Sequence, residues 1–169
     1  RSNILKHLNL EDYFLATIHR EENVDVKDNL KNILRSIEEI TKRYSILIVF
    51  PIHPRTRKRL KEFNLLGRAE QIRGLKLINP IGYLDFLLLT SRARLVLTDS
   101  GGVQQEACIL HTPCVTLRNE TEWTETVETG ANIITGTFPS KVLKGIKKML
   151  SVDKTWGNPF GSKGAAKRI

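Results

Sequence analysis

Asp99, Ser100, Gly101 and Gly102 separate an apolar run, Leu95 to Thr98, from a helix-forming run, Val103 to Ala107, that carries Glu106. Small residues where a strand hands over to a helix leave the helix's first N–H groups free and within reach. Those groups carry partial positive charge. Glycine removes the side chain that would keep an anion away from them. The arrangement suits a phosphate, and it equally suits a tight turn with Asp99 or Ser100 as an ordinary helix cap. It is neither the dinucleotide G-x-G-x-x-G nor a P-loop with its lysine. Glu106 follows early in the helix. A carboxylate repels phosphate but accepts hydrogen bonds from sugar hydroxyls, so phosphates on the turn and a ribose at Glu106 would together describe a nucleotide. The second chemical stretch is His19-Arg20-Glu21-Glu22-Asn23, and the third is His53 in "FPIHPRT". An imidazole with a near-neutral pKa suits proton transfer.

What must position these residues is legible in the alternation of patterns. Strand-like runs occur at 13–18, 45–50, 75–78, 94–98, 113–117 and 132–135. Helical patterns fall between and after them, at 26–43, 55–63, 83–93, 103–110, 125–130 and 141–150. In the first of these Leu30, Ile33, Leu34, Ile37 and Ile40 share a face. In the last Val142, Leu143, Ile146 and Leu150 do, with Ser140 expected as the cap and Gly130 expected to end the helix before it. Six strands alternating with helices predict an α/β fold, a Rossmann-like, doubly wound parallel sheet. In strand order 3-2-1-4-5-6, ligands sit between strands 1 and 4 at their carboxyl ends. His19 and Arg20 then face Ser100, Gly101 and Gly102 across one crevice, with His53 one strand away. His111 precedes strand 5 and belongs on the opposite edge as a structural residue.

Composition narrows the function classes. The chain has 169 residues, 40% of them hydrophobic, which suits one globular domain. The longest apolar run, Ile46 to Phe50, is too short to span a bilayer, and the opening residues lack a signal-peptide core; no membrane partner and a cytoplasmic location are expected. The net charge of +9 is partly concentrated in 54–61. That points to a solvated helix face and an anionic small molecule, since no nucleic-acid-binding motif accompanies it. Cys108 and Cys114 lack metal-ligand spacing and read as buried free thiols; no metal and no redox cofactor are expected. The first residue is Arg1 rather than Met, which suggests a piece of a longer protein. The Gly- and Pro-rich tail, 151–169, reads as an exit linker whose aromatics need another surface to cover them.

"TIHREENVD", "YLDFLLLTSRARLVLTDSGGVQQEA" and "TEWTETVETGANIITG", in that order and covering nearly the whole chain, resemble the non-hydrolysing UDP-N-acetylglucosamine 2-epimerases. The resemblance implies the C-terminal half of a glycosyltransferase-B-type two-domain fold. Residues 1–150 would form the UDP-binding domain, and 151–169 would lead to a cross-over helix. An N-terminal domain would supply essential carboxylates, and the whole protein would be a homodimer. By the same resemblance His19 is the active-site histidine, Arg20 contacts the substrate, and Ser100, Gly101 and Gly102 cradle UDP. Glu106 takes the ribose, Phe86 lies at the uracil pocket, and His53 belongs to a regulatory substrate site found in some bacterial members. The implied reaction inverts C2 by eliminating UDP and adding it back, giving UDP-N-acetylmannosamine, with the isolated piece inactive. Two departures stand out: bacterial members read H-R-R-E-N where Glu21 stands, and T-E-R-P-E where Trp123 and Thr124 stand. A glycosyltransferase of the same architecture, a hydrolysing epimerase and a stand-alone nucleotide-binding module are the competing readings.

Overall fold

The computed structural model describes residues 2–161. Six strands alternate with helices: β1 (Tyr13–Thr17), β2 (Leu47–Pro51), β3 (Leu75–Ile78), β4 (Leu95–Thr98), β5 (Cys114–Thr116) and β6 (Asn132–Ile134). All pair in parallel in the order β3-β2-β1-β4-β5-β6, as the pattern predicts. The helices are α1 (Ile4–Leu8), α2 (Glu21–Val24), α3 (Lys27–Tyr44), α4 (Pro54–Glu62), α5 (Leu66–Gln71), α6 (Tyr83–Arg92), α7 (Gly101–Ile109), α8 (Thr124–Glu128) and α9 (Pro139–Leu150). No helix among the described residues is long and apolar enough to cross a membrane.

The central strands are apolar without interruption because both faces of the sheet are covered. Alternate residues of β1 enter two separate cores. Phe14 and Ala16 join Ile48, Leu95 and Val115 under α3 and α9. Tyr13 and Leu15 join Val49, Val96 and Cys114 under α6 and α7. The five apolar residues of α3 that share a face are all buried, and α9 lies on the same side of the sheet through Val142, Ile146 and Met149. Cys108 and Cys114 are free and buried, and burial pushes the Cys114 thiol up to about 12.

Three expectations need correction. Ser140 does not cap α9: Phe138 stands at the cap position and Pro139 opens the helix, where a fixed φ and a missing N–H cost nothing. Three short helices, α1, α2 and α5, are absent from the pattern reading; at four to six residues each they are too short for a 3.6-residue period. Gly130, by contrast, follows α8 at φ +80°, as expected. The tail is the third correction. Trp156 is covered by this chain: it packs on Cys108 and Ala131, donates its indole N–H to the Cys108 carbonyl at 2.9 Å, and stacks on His111. Small residues at 108 and 131 leave the slot it fills. The rest of the exit-linker expectation, 162–169, lies outside the described residues.

Candidate functional site

The carboxyl ends of β1 and β4 diverge above a paired floor. Thr17 and Thr98 lie opposite each other, and their hydroxyls are 2.9 Å apart. Beyond them one chain turns into α2 and the other into α7, and Asp99 fastens the two turns together. Its fully buried carboxylate accepts the backbone N–H groups of His19 and Arg20, each at 3.0 Å, and the Asn23 amide at 3.1 Å. A buried charge needs this many donors to offset lost hydration. Asp99 is therefore no helix cap; it clamps the His19 turn to the α7 turn.

Ser100 occupies the N-cap position of α7 but makes no side-chain cap bond, and its own N–H goes to the Thr98 hydroxyl. The first intrahelical bond runs from Gln104 N–H to Ser100 C=O at 3.2 Å. The N–H groups of Gly101, Gly102 and Val103 precede it, and no acidic residue lies in the first turn to compete for them. The two glycines serve different ends. A Cβ on Gly101 would collide with the Glu122 carboxylate and come within 2.9 Å of the Trp123 indole nitrogen. A Cβ on Gly102 would meet nothing within 4 Å. Gly101 is glycine so that the 118–123 loop can press against the helix; Gly102 opens to space. Glu106 is four residues on from Gly102 and so on the same face of α7.

His19 is half-buried, with its Nδ1 3.5 Å from Asp99 Oδ1 and its ring 5.5 Å from that of His53. Burial, with His53 and Arg20 adding to it, lowers the imidazole pKa; Asp99 opposes this. The His19 ring is thereby biased toward its neutral form. The nearby carboxylate favours a proton on Nδ1, leaving Nε2 as an acceptor. His53 takes the other tautomer: it caps α4, its Nδ1 accepting the Arg55 N–H at 3.2 Å, so its proton is on Nε2. That capping role was not foreseen from the sequence. His19, His53 and Phe86 line one cavity of about 210 Å³ with Pro80, Ile81 and Val103. Of the sequence-selected residues, His19, His53 and Phe86 line this cavity, while Ser100, Gly101 and Gly102 lie outside its lining, in the turn that leads to Val103. Glu106 lies outside the cavity lining, beside Tyr83, whose phenol it pushes up. Tyr83 went unnoticed in the sequence; its signal is its place three residues before Phe86, on the same face of α6.

Arg20 is not free. Its Nη2 is 2.8 Å from Glu122 Oε1, and Glu122 Oε2 is 2.6 Å from Arg118 Nη1. Arg118, only 8% exposed, also reaches Glu22 at 2.7 Å. Glu21, the first departure from the bacterial pattern, pairs with Arg55 at 2.7 Å. Arg55 and Arg59 also hold the Asp25 carboxyl down at about 2. The basic stretch 54–61 is thus partly occupied by acids of this same chain. His111 lies at the far edge of the sheet, its Nδ1 3.1 Å from the Lys154 carbonyl, a structural placement as expected.

Residues 1–169 match the family described as UDP-N-acetylglucosamine 2-epimerase. A UDP-N-acetylglucosamine 2-epimerase of Methanocaldococcus jannaschii is 54% identical over 94% of this chain, which spans 43% of that protein. The crystal structure of the M. jannaschii UDP-GlcNAc 2-epimerase in complex with UDP-GlcNAc and UDP superposes with a TM-score of 0.94 at 51% identity, over 99% of this chain and 47% of that one. A UDP-2,3-diacetamido-2,3-dideoxy-D-glucuronate 2-epimerase of Pseudomonas aeruginosa is 40% identical over 94% of the chain, again across 43% of its own length. The chain spans about half the length of the curated relatives it matches.

Proposed function

Because the chain belongs to the UDP-N-acetylglucosamine 2-epimerase family, we propose that it is the UDP-binding half of an enzyme that interconverts UDP-N-acetylglucosamine and UDP-N-acetylmannosamine. The observation that carries this is the meeting of His19 with the open N-terminus of α7, fastened by Asp99, at the carboxyl ends of β1 and β4. The diphosphate rests on the N–H groups of Gly101 and Gly102, the ribose on Glu106, and the base against Phe86. A second domain, preceding this one in the complete protein, closes the crevice and supplies the carboxylates. Residues 151–169 lead toward the helix that crosses back to it. His53, its ring 5.5 Å from that of His19 in the same cavity lining, belongs to this crevice or to a regulatory substrate site at its rim.

The chemistry follows from the charges. A base removes the C2 proton, the C1–O bond breaks, and UDP departs with the bonding electrons, leaving a 2-acetamidoglucal. UDP then adds back at C1 while C2 regains a proton on the other face. Negative charge accumulates on the departing diphosphate oxygen, where the α7 amides and Arg20 stabilise it. His19, whose burial favours the neutral imidazole, exchanges a proton with that oxygen or with the sugar beside it.

The test is to incubate the complete protein with UDP-N-acetylglucosamine in D2O. Elimination exchanges the C2 proton with solvent, so both epimers should acquire deuterium at C2. A glycosyltransferase would transfer the sugar without C2 exchange, and a hydrolysing epimerase would release the free sugar. Including the diacetamido-glucuronate nucleotide as a second substrate separates this activity from that of the Pseudomonas relative.

A further inference from the structure

A carboxylate stands where the proposed site should least tolerate one. Glu122 Oε1 occupies the space that a Cβ on Gly101 would need, at the end of α7 where the diphosphate would rest. Its charge is cancelled by two guanidiniums that arrive from different strands. Arg20 follows β1 and binds Oε1 at 2.8 Å; Arg118 follows β5 and binds Oε2 at 2.6 Å. Both oxygens are thereby occupied. Arg118 is 8% exposed and also pairs with Glu22, so the bridge has a buried anchor. The loop bearing Glu122 is fastened to α7 a second time, by the Thr121 hydroxyl donating to the buried Gln104 Oε1. Arg20, at 40% side-chain exposure, is the guanidinium of the pair that reaches solvent. An arginine loses several rotatable bonds when it is fixed, and one already fixed spends less on binding a phosphate. Only its Nη2 edge is taken by Glu122, which leaves the rest of the planar fork to face an anion.

We propose that Glu122 is a positioning residue: it holds the Arg20 guanidinium across the N-terminus of α7, ready for the diphosphate. This rests on the reading of the crevice as a UDP site. It implies that Glu122 contributes to affinity only through Arg20, and only for ligands that carry phosphate.

Titration calorimetry of the chain with UDP and with uridine tests this. Glu122→Gln should weaken UDP about tenfold and leave uridine unchanged. Arg20→Gln should weaken UDP by at least as much. The double variant should lose little beyond Arg20→Gln alone, because one residue acts through the other. Glu122→Asp keeps a charge for Arg118 but is one methylene short of Arg20; it should lose UDP affinity as well, which preserves the test should Glu122→Gln fail to fold. Unchanged or tighter UDP binding in folded Glu122→Gln or Glu122→Asp, or additive losses in the double variant, would overturn the positioning role and leave the UDP site standing. A wild-type chain that binds neither UDP nor inorganic pyrophosphate would overturn both.

Discussion

Gly101 and Gly102 are neighbours with the same side chain, yet alanine should damage different properties at the two positions. At Gly101 the added methyl would collide with the Glu122 carboxylate and come within 2.9 Å of the Trp123 indole. Glu122 cannot simply swing away, since both its oxygens are tied to arginines. Overpacking of this kind costs about 1–3 kcal/mol, a fall in Tm of roughly 2–12 °C for a chain of this size. At Gly102 the methyl meets nothing within 4 Å. Alanine also favours the helix by up to about 1 kcal/mol, so the melt should be unchanged or rise by up to roughly 4 °C. The same methyl would stand over the amide that the anion uses. Losing one charge-assisted hydrogen bond is worth about 1.5–3 kcal/mol, so UDP binding should weaken roughly 12- to 140-fold. Differential scanning fluorimetry and calorimetry on the two variants read both quantities. Gly102→Ala binding UDP like the wild type, or melting well below it, would show that the space beside Gly102 is not the phosphate seat.

Glu106→Ala should weaken UDP more than inorganic pyrophosphate, because its partners are ribose hydroxyls; equal losses in calorimetry would remove it from that role. The His19 imidazole should titrate below its ordinary value, read from its ring C–H resonances by NMR, since burial outweighs the Asp99 carboxylate. The sign for stability follows: with the folded pKa lowered, this contribution is complete above pH 6.5 and is lost as pH falls through the folded value; a His19 pKa above 6.5 would contradict the account. In the complete protein His19→Ala should lower the rate by at least about 10²-fold with an intact melt, whereas His111→Ala should barely change it. Trp156→Ala should cost about 3 kcal/mol, or roughly 6–12 °C in Tm, because the indole fills a slot in this chain; an unchanged melt would mean that the tail is not docked.

Strand order and the crevice were legible because each depends on patterns that a chain displays locally. Uninterrupted runs such as Leu95–Thr98 mark strands buried on both faces, and the strand order of a doubly wound sheet, which sets strands 1 and 4 side by side, places His19 opposite Ser100 without any knowledge of their contacts. The same runs foretold the buried stripe of α3. What stayed hidden was decided by distant partners. Asp99 looks like a helix cap in sequence, yet its acceptors are filled by backbone N–H groups about eighty residues away, which carry no side-chain signature. Arg20 reads as a free cation because Glu122 is 102 residues distant. Trp156 reads as uncovered because the small residues that admit it, Cys108 and Ala131, are recognisable as a slot only once the sheet brings them together.

The central claim, that this chain seats UDP on the N-terminus of α7, is tested most directly by titrating the 15N-labelled chain with UDP and mapping the amide shifts. The account predicts that the largest changes fall on Gly101, Gly102 and Val103, with Glu106 and Phe86 following, and that pyrophosphate reproduces only the first group. Shifts concentrated on the basic helix α4, or none at saturating UDP, would contradict it.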